Sequence, residues 1–195
     1  MIGYSEDQGK PEVRTAGIDP ALIKTGFCAV VGPSFSTVLI HEKWARGAER
    51  LSRVAQKLRE LLDLHRPELL LIEGYSYNSN GRLCDLGEMG GVFRLLFFEK
   101  AITYRVVPPA LLKHFATGNG LASKERVMRE FGGRYGLTFG EKDDDLADAA
   151  VLARMGQVIL TGASTYRCEL EAIRRLDEME QPRKADKFAR IPKSL

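Results

Sequence analysis

Four carboxylates mark this chain, and three of them border apolar runs that the sequence predicts to be buried. Asp19 lies in GIDPALIKTGF, Glu73 ends the run LLLIEG, and Asp145 and Asp148 lie in DDDLADAAVLA. An acidic side chain beside a core is costly unless it is paired or binds a cation. Carboxylate oxygens suit Mg²⁺ or Mn²⁺, and Mg²⁺ usually shares its site with a substrate phosphate. The four residues therefore predict a divalent-metal site for phosphoryl transfer, and they favour the cutting of nucleic acid.

The pattern of apolar residues predicts the elements that position these carboxylates. Three short apolar runs with close turns predict an antiparallel meander, after which strands alternate with helices. The predicted strands are 13–18, 27–31, 37–41, 69–72 and 102–107; the predicted helices are 48–64, 83–100, 124–135, 145–160 and 166–180, with a short helical turn at 111–115. This order predicts an α/β domain of the ribonuclease H-like fold, with a mixed five-stranded sheet flanked by helices.

In such a sheet the carboxylates converge. Asp19 would end the first strand and Glu73 the fourth, so they lie close together if those strands are neighbours. Asp145 and Asp148 are spaced i, i+3, which places them on one face of a helix. The cluster could hold two cations about 3.5–4 Å apart. Asp144 is i, i+4 from Asp148 and rivals Asp145 as a ligand, but the D-x-x-D-A spacing favours Asp145.

Composition excludes several other classes of protein. The chain has 195 residues, of which 44% are hydrophobic, and no apolar run approaches the length of a membrane span. The first residues lack an apolar signal region, so we expect a cytoplasmic protein. Three cysteines without a CxxC pattern argue against a zinc ribbon, and the histidines form no HExxH motif.

Charge and composition also predict the domain organisation. We expect a flexible leader at 1–12, a nuclease domain at 13–162, and a C-terminal helix with a basic tail at 163–195. Of the net charge of +3, residues 181–195 carry +4, which leaves the body nearly neutral. Such a tail can contact phosphates, and it can equally serve as a disordered solubility tail.

Four motifs resemble, in their order, those of the RuvC-type Holliday junction resolvases. GIDPALIKTGF is similar to the family's opening motif, and LLLIEG to its second, an apolar strand that ends in Glu. TGNGLASKERV resembles its glycine loop with a following Lys, and DLADAAVLA its closing helix. The resemblance spans about 17–153. The small size and the extra ends are more similar to a phage or prophage relative than to a housekeeping enzyme.

The resemblance implies a function and a set of site residues. The family cuts four-way DNA junctions by paired symmetric nicks, as a homodimer with Mg²⁺ or Mn²⁺, in DNA recombination and repair. Asp19, Glu73, Asp145 and Asp148 match its metal ligands, so two Mg²⁺ per site are expected. Lys124 matches a basic residue that acts on the phosphate of the cut strand.

Other positions are expected to contact DNA or to depart from the family. Ala21 stands where the family usually has Gly, and Ser76 stands where it places an aromatic residue that stacks on a base. Either flanking tyrosine could take that role. The residues expected to contact DNA are Tyr75, Tyr77, Arg82, Lys113, Lys124 and Arg126. Phe93, Phe97 and Phe98 would pack in a core or in a dimer interface.

Each single residue also has an ordinary explanation. Asp19 could form an Asx-turn before Pro20, Glu73 could be a solvated strand end, and the aspartates at 143–145 could cap a helix. Lys124 could be a solvated charge in a first helical turn. The joint occurrence of the motifs favours the functional interpretation.

Three alternative functions stay open at this point. A flap- or fork-selective nuclease would use the same chemistry on another branched DNA. A junction-binding protein would hold DNA without cutting it, although all four carboxylates are present. An actin-like or sugar-kinase ATP-binding protein shares the core topology, but 195 residues are too few for two such lobes.

Overall fold

The computed structural model describes residues 12–21, 23–74 and 83–180, which form a five-stranded sheet and six helices. The strands are β1 (Arg14–Asp19), β2 (Lys24–Val31), β3 (Ser34–His41), β4 (Leu69–Glu73) and β5 (Tyr104–Val107). The helices are α1 (Gly47–His65), α2 (Leu83–Glu99), α3 (Pro109–Thr117), α4 (Lys124–Tyr135), α5 (Asp144–Thr161) and α6 (Arg167–Glu180).

The sheet is mixed, with the strand order β3-β2-β1-β4-β5. β1, β2 and β3 pair antiparallel, as the short turns predicted, while β4 and β5 run parallel to β1. The predicted mixed five-stranded sheet is confirmed. β2 begins at Lys24, three residues earlier than predicted, because Lys24 to Gly26 pair with the end of β3.

The helix after β5 is longer than the sequence predicted. A short helical turn was predicted at 111–115, but α3 runs for nine residues from Pro109. Proline suits the first turn of a helix because its missing N–H would have no helical partner there. The predicted cap of α4 is present, since the Ser123 side chain accepts a hydrogen bond from the Arg126 backbone N–H.

Helices cover both faces of the sheet. Ala16 and Ile18 of β1 pack on the face covered by α1 and α2, together with Leu58 and Phe93. The other face packs against α3, α4, α5 and α6. Because side chains alternate along a strand, Thr15, Gly17 and Asp19 belong to this second face. Asp19 therefore points towards the layer that contains α5.

Helix α5 lies unusually close to the sheet. A β-carbon added at Gly17 would overlap the backbone of Ala149 and would lie 2.7 Å from the β-carbon of Leu152. Beside this contact the Thr15 hydroxyl donates a hydrogen bond of 2.8 Å to the carbonyl of Ala153. The lack of a side chain at Gly17 lets the helix backbone rest directly on β1, which fixes where the first turn of α5 stands.

A buried carboxylate of helix α6 binds residues of α4, in the helical layer on the same face of the sheet. Glu169 is 0% exposed, and its Oε1 lies 2.8 Å from Arg134 Nη1. The Tyr135 hydroxyl donates to the same oxygen at 2.6 Å, and the Ser164 hydroxyl donates to Oε2 at 2.7 Å. A buried charge is tolerated when it is paired and hydrogen-bonded in this way. The predicted boundary at residue 162 stays a prediction.

Among the described residues no helix combines the length and the apolar character that a membrane crossing requires.

Candidate metal centre

Two carboxylates meet at one edge of the sheet because β1 and β4 are parallel neighbours. Ile18 pairs with Ile72, so Asp19 and Glu73 end adjacent strands side by side. Both residues continue the alternation that faces α5, as Gly17 and Leu71 do two residues earlier. The predicted proximity of Asp19 and Glu73 is confirmed.

The first turns of α5 bring a third carboxylate to the pair. One carboxylate oxygen from each of Asp19, Glu73 and Asp148 lies within 4.8 Å of the other two. Asp19 is buried, whereas Glu73 and Asp148 are half-buried. We call these three residues the acidic triad.

The acidic triad is electrostatically strained without a cation. Burial and the neighbouring charge of Glu73 raise the pKa of Asp19 well above its usual value. Burial and the charge of Asp19 raise the pKa of Asp148 to about 7. Burial also raises the pKa of Glu73. A divalent cation would relieve both the mutual repulsion and the burial of charge.

The other two aspartates of the α5 N-terminus occupy different surroundings. Asp145 is half-buried beside Asp19, and burial with the nearby charge of Asp144 raises its pKa. Asp144 instead accepts a hydrogen bond from Lys124. Burial opposes ionisation of Asp144, but this hydrogen bond and the positive charge of Lys124 together outweigh it, so the pKa is lowered. Asp145 thus stands beside the acidic triad, while Asp144 serves as the partner of Lys124.

Lys124 supplies positive charge next to the carboxylates. It occupies the first position of α4, and its hydrogen bond to Asp144 raises its pKa, so the ammonium is charged at neutral pH. Burial and repulsion raise the pKa of Asp19, and Lys124 opposes this shift. Lys113 of α3 opposes the rise at Glu73 in the same way.

The structure describes only some of the other residues that were predicted to contact DNA. Tyr75, Tyr77 and Arg82 lie outside the described residues. Arg126 lies one turn from the start of α4, where its Nε donates a hydrogen bond of 2.7 Å to Glu130.

Sequence reasoning missed one basic residue of this site. Lys24 opens β2 at the same end of the sheet, and its charge opposes the rise in the pKa of Asp145 that burial causes. Lys24 lies within the motif GIDPALIKTGF, five residues after Asp19, and this position is a signal that could have found it.

The donor set fits a divalent cation. The acidic triad and Asp145 offer only carboxylate oxygens, which hard cations such as Mg²⁺ and Mn²⁺ prefer. The raised pKa values show that the fold holds these groups where proton binding or cation binding must offset their repulsion. Acids at the ends of two adjacent parallel strands, closed by a helix with further acids, define a metal-dependent nuclease of the ribonuclease H-like class.

Comparison with known proteins gives the family. The model of the family described as "Crossover junction endodeoxyribonuclease RuvC" matches residues 15–155. This chain belongs to that family, and the resemblance seen in the four motifs is confirmed.

Individual relatives agree with the family match. A crossover junction endodeoxyribonuclease RuvC of Rhodococcus jostii (strain RHA1) is 32% identical over 149 residues, which cover 72% of this chain and 79% of the relative. One from Synechococcus sp. (strain CC9311) is 24% identical, covering 74% of this chain and 98% of the relative. A structure of Thermus thermophilus RuvC in complex with Holliday junction substrate matches with a TM-score of 0.64 and 26% identity, over 72% of this chain and 90% of that one.

Proposed function

We propose that this chain is a metal-dependent endonuclease that resolves four-way DNA junctions by paired symmetric nicks. The observation that carries the proposal is the convergence of Asp19, Glu73 and Asp148 within 4.8 Å, in a chain that matches its family over residues 15–155. The related Thermus protein has been seen with a Holliday junction substrate, which supports the same substrate here.

The proposed cofactor is Mg²⁺, with two ions per site and Mn²⁺ able to substitute. Asp19, Glu73 and Asp148 would hold the cations, and Asp145 would complete the ligand set. Bound divalent cations supply an activated water and stabilise the charge of both the attacked phosphate and the leaving oxygen. Glu73 and Asp148 are only half-buried, so a substrate phosphate could approach them.

Lys124 has a separate proposed role. Its ammonium is held beside the carboxylates by Asp144, and its raised pKa keeps the proton in place. A fixed positive charge at this position would stabilise the negative charge that develops on the phosphate during the reaction. Asp144 would then act by orienting Lys124.

The proposed assembly is a homodimer, in which two active sites would cut two symmetric strands. Phe93 and Phe97 are fully buried in the core, but Phe98 is 82% exposed and Leu95 is 58% exposed. Gly87 and Gly91 lie on the same face of α2, and β-carbons at these positions would meet no atom of the described residues within 4 Å. This apolar face, open to close approach, is our candidate for the dimer interface.

A cleavage assay tests the proposed function. Synthetic four-way junctions, flaps and linear duplexes would be incubated with Mg²⁺ and either the wild type or Glu73→Gln. We expect symmetric nicks in the junction, and a loss of at least about 100-fold in rate for the variant with junction binding retained. Glu178→Gln is the matched control, because Glu178 is an exposed carboxylate paired with Arg174 on α6.

The same assay separates the alternatives. Faster cutting of flaps than of junctions would favour a flap- or fork-selective nuclease. Tight junction binding without any cutting would favour a non-cutting junction-binding protein. Unchanged cutting by Glu73→Gln would reject the assignment of the acidic triad.

A further inference from the structure

The loop between β3 and α1 holds an indole in solvent. Trp44 is the only tryptophan of the chain, and it is 88% exposed. Hydrogen bonds nevertheless fix the loop around it, because the Glu42 N–H donates to the Ile23 carbonyl at 3.1 Å. Ala45 is buried, and its carbonyl accepts a hydrogen bond of 2.8 Å from Arg50 Nε. A large apolar side chain that a fixed loop exposes is a candidate contact for a partner.

This loop lies at the same end of the sheet as the acidic triad. Asp19 pairs with Gly26, and Lys24 pairs with His41, so β3 ends where β1 ends. Neighbouring strands are about 4.8 Å apart, which puts the end of β3 roughly 10 Å from Asp19 across the sheet. Trp44 follows His41 by three residues. The indole therefore stands within a few nucleotide lengths of the proposed cutting site.

Positive charge accompanies the indole. Lys43 and Arg46 flank it, and Lys43 Nζ lies 5.1 Å from the centroid of the Trp44 ring. The nearby Glu42 is neutralised by Lys57 at 2.6 Å. Across the part of the chain that the structure describes, no ion pair engages Lys43 or Arg46. The loop thus offers one aromatic face and two cations, a combination that suits single-stranded or unpaired nucleic acid.

We propose that Trp44 is a stacking platform for an unpaired or branch-point base of the DNA, with Lys43 and Arg46 as its phosphate anchors. The inference rests on the proposed function, since it assigns a binding surface for the same substrate. The middle of a linear duplex presents no free base face, because every base is already stacked. A branched DNA exposes such faces where its arms meet. Trp44 therefore contributes to the discrimination of branched DNA from duplex.

The emission of the single tryptophan reports on this surface directly. The Asp148→Asn variant, which should bind without cutting, would be titrated with a four-way junction in Mg²⁺ while anisotropy of labelled DNA follows binding. We expect the bound junction to quench most of the Trp44 emission and to shield it from acrylamide. A linear duplex of equal length should do neither. Emission and acrylamide access that stay unchanged while anisotropy shows bound junction would overturn the inference.

A relocated reporter controls for indirect effects. Trp44→Phe combined with Leu64→Trp moves the single indole to an exposed position on the last turn of α1, at the opposite end of the sheet. Its emission should not respond to the junction. Quenching at residue 64 as strong as at residue 44 would overturn the inference, because the signal would then not report on local stacking.

Affinity measurements complete the test. Trp44→Ala should weaken junction binding at least about fivefold, leave duplex binding unchanged and leave the melting temperature intact, while Trp44→Phe should retain affinity. The double variant Lys43→Ala with Arg46→Ala should bind both the junction and the duplex more weakly, and its binding should depend less on salt. Equal junction affinity for Trp44→Ala and the wild type, with cutting intact, would overturn this inference alone. A wild type that neither binds nor cuts junctions would instead overturn the proposed function.

Discussion

Gly26 of β2 and Asp145 of α5 are in backbone contact: a β-carbon added at Gly26 would overlap the carbonyl oxygen of Asp145. Gly26 pairs with Asp19 across the sheet. The absence of a side chain at residue 26 thus allows the first turn of α5 to approach the end of β1. The distance between Asp148 and Asp19 depends on this approach.

The first prediction follows from this contact. Gly26→Ala should displace the start of α5, because the obstructing atoms belong to backbone, and should reduce junction cutting at least about 100-fold. Gly133→Ala is the control, since a β-carbon there meets no described atom within 4 Å and alanine favours a helix. Junction cleavage rates and melting temperatures would be measured for both. Full activity of Gly26→Ala would show that the glycine contact does not position the site.

The second prediction concerns pH and metal. Folding raises the pKa of Asp19 and Asp148 above their values in the unfolded chain, near 3.9. Without metal, the stability from these protonated groups is fully present below about pH 4. It is lost as the pH rises, for Asp148 through about 7. The melting temperature in EDTA should fall over this window, and Mn²⁺ should raise it more at pH 8 than at pH 5.5.

The control for this experiment is Asp148→Asn. The amide cannot ionise, so in EDTA at pH 8 the variant should melt a few degrees above the wild type and depend less on pH. It should also lose most of the response to Mn²⁺. If Mn²⁺ at pH 8 leaves the melting temperature of the wild type unchanged, the assignment of a metal site to the acidic triad is contradicted.

The third prediction separates the two adjacent aspartates of α5. Asp145→Asn should reduce cutting at least about 100-fold, because the carboxylate of Asp145 lies beside Asp19 and the proposed cations. Asp144→Asn should reduce the cutting rate by a smaller factor, since Asp144 acts through Lys124. Lys124→Arg should recover part of the activity that Lys124→Ala loses. A larger loss for Asp144→Asn than for Asp145→Asn would reverse the assignment.

The fourth prediction concerns the attachment of α6. Glu169→Ala leaves Arg134 without its carboxylate partner in a largely buried site, which should cost about 3–5 kcal/mol of unfolding free energy. Urea denaturation would measure it. Glu178→Ala on the same helix is the control, because its pair with Arg174 is exposed and should contribute little. Similar midpoints for both variants would mean that α6 does not stabilise the domain through Glu169.

The fifth prediction tests the dimer interface on α2. Phe98→Glu should yield monomers in sedimentation experiments and should abolish the symmetric pairing of nicks, because a charge would be buried between the two copies. Leu64→Glu, at an exposed apolar position on α1, should leave the assembly unchanged. A dimer that survives Phe98→Glu would place the interface elsewhere.

Much of the fold and part of the site could be predicted from local patterns in the sequence. The apolar run before Glu73 and the motif around Asp19 predicted two strand ends. That the two strands are neighbours is a condition of their convergence, and the parallel pairing of β1 with β4 meets it. The i, i+3 spacing placed Asp148 on the correct helix. Such features depend only on neighbouring residues, so a single sequence exposes them.

Long-range relationships were missed for a physical reason. The sequence shows Lys24 near Asp19 but not that it acts on Asp145 of α5, and Glu169 meets Arg134 across 35 positions of chain. Trp44 gave no periodic signal because it lies in a loop. The predicted strand 102–107 ends before Pro108 and Pro109, and the length of α3 was missed because Pro109 also begins a helix. Contacts between distant segments leave no local pattern.

The order in which the ligands occur along the chain bears on synthesis in the cell. Asp19 and Glu73 leave the ribosome early, but the helix that carries Asp148 comes near the end of the matched family region. A growing or truncated polypeptide that stops before this helix has two of the three triad acids and lacks the layer that presses on β1. Chains that stop before this helix should therefore be unable to damage DNA, and nuclease activity should emerge only after the helix has been synthesised.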